Sequence, residues 1–227
     1  MKPLEGKRAL VVGCEGRLGP VWMRALSDAG ADVMGGGPPA CDLRYPFLFP
    51  ALTTPDVLVV NAGVDSRPGT PHNPQDMVAV NVLGVQYVLE TVGRDMCRGG
   101  SIVLIASLYG LVAPDMRYYN HRPDGWVKDP LYGATKAAII QLTRDFAARY
   151  GPYGIRVNAI APGGVIDPTD PLTVGDPEFQ SKYTARIPLG RMCQPSDLGG
   201  PLVFLASDAS SFMTGQTLVL DGGYTCW

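Results

Sequence analysis

Residues 9–19 read ALVVGCEGRLG, an apolar run of strand length followed by glycines at 13, 16 and 19 and the start of a helix. Such a loop suits a dinucleotide, because glycine lets backbone N–H groups approach the pyrophosphate while the helix N-terminus supplies partial positive charge. The spacing is Gly-x-x-Gly-x-x-Gly, and a glycine-rich turn that merely joins strand to helix is the alternative. The predicted cofactor-binding positions of the loop are Gly13, Gly16, Arg17, Leu18 and Gly19.

The alternation of strand and helix continues through the rest of the chain. Short apolar strands that alternate with amphipathic helices are typical of a parallel sheet with helices on both faces. We therefore predict an α/β fold, a single Rossmann-like doubly wound parallel sheet, in one domain over residues 1–227. The predicted strands are 9–12, 31–34, 57–60, 101–106, 155–160 and 217–220, and the predicted helices are 18–29, 75–96, 131–150 and 195–206.

One segment, residues 35–56, does not fit this alternation. It contains prolines at 38, 39, 46, 50 and 55, and it is shorter than the roughly 30 residues that a βαβ unit takes. Proline at this density breaks helices and central strands. We predict that the third strand of the usual sheet and its crossover helix are missing or rudimentary.

The composition narrows the expected partners to small molecules. The chain has 227 residues, 46% hydrophobic and 18% charged, and a formal net charge of -2, which gives neither nucleic acid nor an anionic membrane an electrostatic reason to bind. Its 5 cysteines are scattered and indicate neither a disulfide framework nor a metal site. Because the N-terminal residues lack a signal-peptide core, and no apolar run approaches the ~18 residues that span a bilayer, we expect a cytoplasmic protein.

A tyrosine and a lysine four positions apart, Tyr132 and Lys136, lie near the start of a predicted helix. Residues at i and i+4 share a helix face, so the phenol and the ammonium can point into one pocket. A free tyrosine titrates near pH 10, which is roughly 4 kcal/mol from efficient proton transfer at neutral pH. A lysine charge ~5 Å away contributes about 3 kcal/mol at an effective dielectric constant of ~20, and so lowers the pKa of the phenol. An ordinary surface pair is the alternative.

Further polar groups fall at one predicted edge of the sheet. Asn61, Ala62 and Gly63 follow the third predicted strand, Asn81 lies in the next helix, and Ser107 follows the fourth strand. Open α/β sheets bind ligands at the carboxyl ends of their strands, so these groups and the glycine loop are expected to face one site. Taken singly, they are equally compatible with a turn, a helix polar group and a cap.

In this order along the chain, the motifs resemble the short-chain dehydrogenase/reductase family. The resemblance implies an NAD(P)-dependent oxidoreductase that reduces a ketone or oxidises the corresponding secondary alcohol. It covers nearly the whole chain and rests on the glycine loop, residues 61–63, Asn81, Ser107, Tyr132 with Lys136, RVNAIAPG at 156–163, TGQ at 214–216 and DGG at 221–223.

The resemblance also implies a role for each matching residue. Tyr132 would exchange a proton with the carbonyl or alcohol oxygen, Lys136 would lower the pKa of Tyr132 and hold the nicotinamide ribose, and Ser107 would bind the substrate oxygen. Asn81 would hold a water molecule of a proton relay. The remaining cofactor contacts would come from Asn61, Ala62, Gly63, Pro162, Gly163 and Val165.

Two departures from the family pattern bear on the cofactor. The expected place for an acidic residue that selects NAD, or a basic one that selects NADP, falls in the uncharged stretch GGGPP at 35–39. Arg17 could instead pair with the 2′-phosphate of NADP, which favours NADP(H) over NAD(H), or it is a solvated surface arginine. Asp42 and Leu43 resemble the family's pair beside the adenine ring, with a turn aspartate as the alternative.

A third departure concerns the substrate. Ser107 and Tyr132 are 25 positions apart, about twice the family's usual interval, so residues 109–130 include an insertion beside the substrate. Its aromatic and hydrogen-bonding side chains suit a polar ring compound such as a sugar, a nucleoside or a heterocyclic ketone, and a subunit contact is the alternative. The motifs LYG at 108–110, APD at 113–115 and DGGY at 221–224 resemble those of oxidoreductases in surface-sugar and flagellin-glycosylation pathways. The predicted substrate contacts are Ser107, Tyr109, Trp126, Gly164 and Tyr183.

Residues 167–187 are predicted to form a mobile lid anchored by Phe179 and Tyr183.

Two other classes of function stay open. One is an epimerase or lyase that uses NAD transiently. The spacing of the glycine loop favours this class, whereas the short length of the chain argues against it. The other is an NAD(P)-sensing protein without catalysis. The resemblance further suggests a homotetramer or homodimer assembled through the predicted helices 75–96 and 131–150.

Overall fold

The computed structural model of the chain describes residues 2–37, 42–45, 54–69, 73–168, 170 and 172–227. In these ranges the strands are β1 Arg8–Val12, β2 Asp32–Gly36, β3 Val57–Val60, β4 Ser101–Ile105, β5 Arg156–Pro162 and β6 Thr217–Leu220. They form one parallel sheet of 6 strands in the order β2-β1-β3-β4-β5-β6. The predicted α/β fold with a parallel sheet is therefore confirmed.

The helices of the same ranges are α1 Gly19–Asp28, α2 Pro74–Val78, α3 Val85–Val88, α4 Pro130–Tyr150, α5 Pro177–Thr184 and α6 Ser196–Ala206. The helix predicted over 75–96 differs from a regular α-helix. Two π-helical segments, Ala79–Gly84 and Leu89–Gly93, flank α3, and the last of them ends at Gly93. None of the helices in the described ranges is long and apolar enough to cross a membrane.

The sheet is buried on both faces, which explains why its strands read as continuous apolar runs. Leu10 and Leu58 pack on the face covered by α3 and α4. Their neighbours Val11 and Val59 point the other way and pack with residues of α1 and α6. Alternate residues of each strand thus enter two separate cores, as a doubly wound sheet requires.

β2 runs two residues further than predicted, through Gly35 and Gly36. Both glycines stay paired with β1, and a Cβ on Gly35 would lie 2.6 Å from the Cys14 sulfur, so glycine lets the strand pass close to the glycine loop. Beyond β2, the described residues 42–45 and 54–56 contain neither helix nor strand. The rest of the predicted rudimentary strand and crossover, 38–41 and 46–53, lies outside the described residues.

A third apolar cluster covers the carboxyl edge of the sheet. It joins Tyr118 and Tyr119 of the insertion to Phe179 and Tyr183 of α5 and to Tyr224 near the C-terminus. The rings of Tyr119 and Phe179 stack at 5.8 Å, those of Phe179 and Tyr183 at 5.4 Å, and those of Tyr183 and Tyr224 at 5.3 Å. This aromatic cluster folds the insertion and α5 together above the strand ends.

Candidate active site

A cavity of about 710 Å³ opens at the carboxyl ends of β1, β3, β4 and β5. The strand order reverses at β1, which has β2 on one side and β3 on the other, and open α/β sheets bind their ligands at such a point. The volume lies within the range of roughly 300–1,000 Å³ that is usual for ligand sites. The predicted site residues that line the cavity are Gly13, Gly16, Arg17, Leu18, Asp42, Leu43, Asn61, Ala62, Gly63, Ser107, Tyr109, Tyr132, Lys136, Pro162, Gly163, Gly164, Val165 and Tyr183.

The glycine loop is held in place by Asn61. The Asn61 side-chain amide donates to the Gly13 carbonyl at 2.8 Å, and the Trp22 indole N–H donates to the Asn61 side-chain oxygen at 2.8 Å. Gly13 has φ +82° and a Cβ there would lie 2.5 Å from the Ala62 backbone nitrogen, so only glycine fits. Asn61, predicted as a cofactor contact, lines the cavity, but its side-chain amide is hydrogen-bonded to the glycine loop.

The loop fits a dinucleotide pyrophosphate. Arg17 and Leu18 line the cavity, and their backbone N–H groups donate to no other residue in the part of the chain that the structure describes. The following helix, α1, has no side-chain cap at its N-terminus, which leaves its dipole available to an anion. Gly19 does not line the cavity: a Cβ there would overlap with the Cys14 carbonyl, so this glycine allows the close packing of the turn.

Tyr132, Ser107 and Lys136 converge on the opposite wall of the cavity. The Ser107 hydroxyl accepts from the Tyr109 backbone N–H at 3.2 Å, and it lies close enough to the Tyr132 phenol to lower its pKa. The Lys136 ammonium lies 5.9 Å from the centre of the Tyr132 ring and donates to the Ile105 carbonyl at 2.9 Å. The predicted sharing of a helix face by Tyr132 and Lys136 is thus reproduced on α4.

The electrostatics of this group differ from the prediction. Burial raises the pKa of Tyr132 above its usual value, and nearby Asp65 raises it further, while the Ser107 hydrogen bond opposes both. Burial also lowers the pKa of Lys136 to about 8. Burial of the phenol, which only the folded chain shows, therefore outweighs the expected lowering of its pKa by the lysine charge.

Gly63 makes room for the lysine. A Cβ at this position would lie 3.2 Å from the Lys136 ammonium nitrogen and 3.5 Å from the Asn81 side-chain oxygen. Larger residues at Gly63 would therefore force the ammonium to shift. The predicted cofactor-binding glycine therefore also positions a predicted catalytic residue.

Asn81, predicted to hold a water molecule, does not line the cavity. Its side-chain oxygen accepts from the Val64 N–H at 2.7 Å, and its amide donates to the Val64 carbonyl at 2.9 Å and to the Thr135 hydroxyl at 3.1 Å. Both amide hydrogens are therefore used inside the protein. In this structure Asn81 ties the loop after β3 to α4 and so positions the neighbours of Gly63 and Tyr132.

Two charged residues that the sequence analysis missed stand beside Tyr132. The Lys128 ammonium lies 4.4 Å from the centre of the Tyr132 ring and forms an ion pair with Asp65, and both residues line the cavity. Asp65 could have been predicted as a site residue, because it lies two residues after Gly63 in a loop that follows the carboxyl end of a strand. The pairing with Lys128, 63 residues away, had no local signal.

Arg17 contacts the segment predicted as a lid. Its guanidinium forms ion pairs with Asp167 and Asp170, and its side chain is only 29% exposed. The side chain is therefore not the solvated surface group that was one alternative. Its charge, expected to be available to a 2′-phosphate in the other alternative, is balanced by two carboxylates. Residues 169 and 171 of this segment lie outside the described residues.

The adenosine side of the cavity carries Asp42 and Leu43. Asp42 accepts from the Arg44 backbone N–H at 3.0 Å and from its guanidinium at 2.6 Å, which is the geometry of a turn aspartate, yet it also lines the cavity. Leu43 is buried, and a Cβ on Gly84 would lie 2.6 Å from the Leu43 Cβ. Cys41, which precedes this pair, lies outside the described residues.

At the substrate end, one of the predicted contacts lies away from the cavity. Trp126 does not line the cavity, because its ring packs edge-on against Tyr119 at 5.3 Å and under the Arg122 guanidinium at 5.9 Å. Tyr119 takes the wall position instead. Tyr183 does reach the cavity, and its hydroxyl accepts from the Gly164 N–H at 2.7 Å. No group of three or more metal-ligating side chains occurs within the described ranges.

The chain resembles known proteins in both sequence and fold. A family model described as enoyl-(acyl carrier protein) reductase matches residues 50–225. L-rhamnose 1-dehydrogenase (NAD(P)(+)) of Sphingomonas sp. (strain SKA58) is 32% identical over 98% of this chain and 98% of its own length. The enzyme of the same name from Azotobacter vinelandii is 35% identical over 74% of this chain, which spans only 64% of that protein. A short-chain dehydrogenase of Leptospira borgpetersenii with bound NAD+ has a TM-score of 0.85 at 29% identity, with 98% of this chain and 94% of that chain covered.

Proposed function

Because this chain belongs to the short-chain dehydrogenase/reductase family, we propose that it is an NAD(P)-dependent oxidoreductase that interconverts a ketone and a secondary alcohol on a small polar metabolite of sugar type. The observation that carries the proposal is the convergence of Tyr132, Ser107 and Lys136 with the glycine loop around one cavity. The cavity is large enough for a dinucleotide end and a small substrate together.

The dinucleotide would lie along the carboxyl edge of β1, β3 and β5. The backbone of Gly13, Gly16, Arg17 and Leu18 would hold the pyrophosphate, since these positions line the cavity at an uncapped helix N-terminus. The residues of the nicotinamide end would be Pro162, Gly163, Val165 and Lys136. When bound, the nicotinamide supplies or accepts the hydride.

The protein itself would supply or accept the proton of the reaction. In reduction, the Tyr132 phenol would give its proton to the carbonyl oxygen, which the Ser107 hydroxyl holds through a hydrogen bond. The raised pKa of Tyr132 keeps the phenol protonated at neutral pH, so the side chain is ready to act as the acid. Alcohol oxidation needs the phenolate instead, and we expect it to accelerate as the pH rises.

The sugar-like substrate is supported by the walls of the cavity and by the relatives. Tyr109 and Tyr119 offer ring faces with hydroxyl groups, and Lys128 with Asp65 offers charged hydrogen-bonding groups. L-rhamnose stands in the names of two similar proteins. A long acyl chain would form no hydrogen bond with these charged groups and would bury them against apolar surface.

We propose that the chain prefers NADP(H) over NAD(H), provided that Arg17 can release its two carboxylate partners. Arg17 lies on the cavity wall beside the glycine loop, but it reaches a 2′-phosphate only when it leaves Asp167 and Asp170.

We also propose that the chain is a homodimer or homotetramer built through the helical region 74–93 and α4. Leu83 supports this, because it leaves an apolar side chain 58% exposed on that region.

Nicotinamide absorbance tests the function. The protein is incubated with NADPH or NADH and a panel of keto-sugars, and with the oxidised cofactors and a panel of aldoses and polyols. An oxidoreductase consumes or forms the reduced cofactor in proportion to product. Sugar conversion without net change in the reduced cofactor would instead identify an epimerase, and cofactor binding without any conversion would identify a sensor.

A further inference from the structure

We propose that Asp65 and Lys128 form a recognition pair for a second hydroxyl group, so that the site selects substrates with a vicinal diol over those with one isolated hydroxyl. The proposal rests on the proposed function in one respect, namely that the reacting carbon lies at Tyr132. It adds to that function the two residues that distinguish a sugar or polyol from a simple alcohol.

The position of the pair supports this role. The Lys128 ammonium lies 4.4 Å from the centre of the Tyr132 ring and contacts Asp65, and all three residues line the same cavity. A hydroxyl on the carbon next to the reacting one stays close to the Tyr132 side chain. The pair is therefore a charged group of the same cavity, beside Lys136, that such a hydroxyl can meet.

One oxygen of Asp65 calls for a hydrogen-bond donor. Its Oδ2 is bound by Lys128, whereas its Oδ1 is buried and has no hydrogen-bond partner among the described residues, so a ligand reaches it only when the carboxylate turns toward the cavity. Of the three buried side-chain atoms without partners in the described ranges, this is the one whose residue lines the cavity. A buried carboxylate oxygen without a donor is costly, and a ligand hydroxyl supplies that donor.

The two charges match a diol better than other substrate groups. The carboxylate accepts a hydrogen bond from one hydroxyl, and the ammonium, which has three hydrogens, donates to the oxygen of the same or the neighbouring hydroxyl. A substrate carboxylate offers only acceptors and would face Asp65 with a like charge. A simple alcohol would leave Asp65 Oδ1 unpaired.

A purely structural role makes a different prediction. The ion pair also ties the insertion to the loop after β3, and both side chains are largely buried, with 11% of Lys128 and 19% of Asp65 exposed. If the pair served only this purpose, its removal would lower stability and affect every alcohol equally. The discrimination between two alcohols therefore separates recognition from support.

The test uses two probes that differ by one hydroxyl, cis-cyclohexane-1,2-diol and cyclohexanol. Their binding to the protein with saturating NAD(P)+ is measured by NMR titration, and their oxidation is measured by nicotinamide absorbance. We expect the diol to bind at least tenfold more tightly than cyclohexanol, in keeping with a hydrogen bond to a charged group. Equal binding of the two probes, or binding of neither, would overturn the proposal.

The variant Asp65→Asn keeps the side-chain volume but places an amide where the carboxylate oxygen was. We expect the preference for the diol to fall to threefold or less, because the affinity for the diol falls more than the affinity for cyclohexanol. The matched control is Asp28→Asn, whose carboxylate is exposed on α1 and remote from the cavity, and it should keep the full preference. A preference that survives in Asp65→Asn, or a parallel loss for both probes, would assign the pair a structural role.

The two readouts separate this inference from the proposed function. Diol-selective binding that Asp65→Asn abolishes, without oxidation of either probe or of any polyol, would support the recognition pair and reject the redox activity. Oxidation of both probes with equal binding would support the redox activity and reject the pair.

Discussion

Tyr132 is the residue on which the proposed chemistry depends, and its neighbours pull its pKa in opposite directions. Burial and Asp65 favour the phenol, whereas the Ser107 hydrogen bond favours the phenolate. We predict that Tyr132→Phe lowers turnover by about 10²-fold or more without changing the melting temperature by more than a few degrees, because only the hydroxyl is lost. Tyr153→Phe, at a tyrosine that is 66% exposed, is the matched control, and near-normal turnover of Tyr132→Phe would reject the acid role.

Lys136 shows what the site costs in stability. Its pKa of about 8 in the folded chain lies below its usual value of 10.5, so the native state carries a desolvation cost on the order of 3 kcal/mol below pH 8. We predict that Lys136→Met is more stable than the natural chain at pH 7 by about 1–3 kcal/mol, since the hydrogen bond to the Ile105 carbonyl is lost at the same time.

The pH dependence of this difference gives the sharper measurement. Between pH 8 and about 10.5 the natural chain holds a neutral Lys136 when folded and a charged one when unfolded, so its cost declines as the pH rises. The stability advantage of Lys136→Met should therefore shrink over this window in denaturant unfolding at pH 7, 8, 9 and 10. A difference that stays constant or grows with pH would contradict the lowered lysine pKa.

At the scale of elements, the segment around α5 is held by two sets of charges. Asp167 and Asp170 bind Arg17 of the glycine loop at one end. At the other end, Asp176 caps α5 by accepting from the Phe179 N–H at 2.9 Å, and it also binds His121 and Arg122 of the insertion. The lid segment is thus joined to both the cofactor loop and the insertion.

Release of Arg17 from the lid should change the cofactor preference. In the double variant Asp167→Asn, Asp170→Asn the carboxylate charges are gone, so the guanidinium is free to pair with a 2′-phosphate. We predict that the ratio of NADPH to NADH affinity rises at least fivefold over the natural chain, measured by fluorescence titration. Asp28→Asn should leave the ratio unchanged, and an unchanged ratio in the double variant would show that Arg17 does not reach the phosphate.

The elements also show how far sequence alone could go. The strands were predictable because their apolar runs are local, and Ser107, Tyr132 and Gly63 could be assigned to one edge because parallel strands end there together. The raised pKa of Tyr132 was not predictable, since burial arises from tertiary packing. The position of Trp126 was not predictable for the same reason, because only the folded insertion shows that Tyr119 turns toward the cavity and Trp126 packs behind it.

At the scale of the whole molecule, the site is assembled from parts that are distant in the chain. Asn61 links the first strand's loop to β3, Asn81 links the loop after β3 to α4, and the aromatic cluster links the insertion to α5. Each link is a hydrogen-bonded or packed contact between segments that are far apart in the sequence. The active-site geometry therefore depends on the complete fold, and any assembly into oligomers should stabilise the helices that carry Asn81 and Tyr132.

Leu83 tests that assembly. It lies on the π-helical segment next to Asn81 with an apolar side chain 58% exposed, and a self-associating face would bury it. We predict that Leu83→Glu shifts the mass measured by light scattering from a dimer or tetramer to the monomer, because a charge cannot be buried without a partner. Phe212→Glu is the control, since Phe212 is an equally apolar, fully exposed side chain outside the proposed helices. Loss of assembly in Phe212→Glu with none in Leu83→Glu would move the interface to the segment between α6 and β6, away from the residues that position Tyr132.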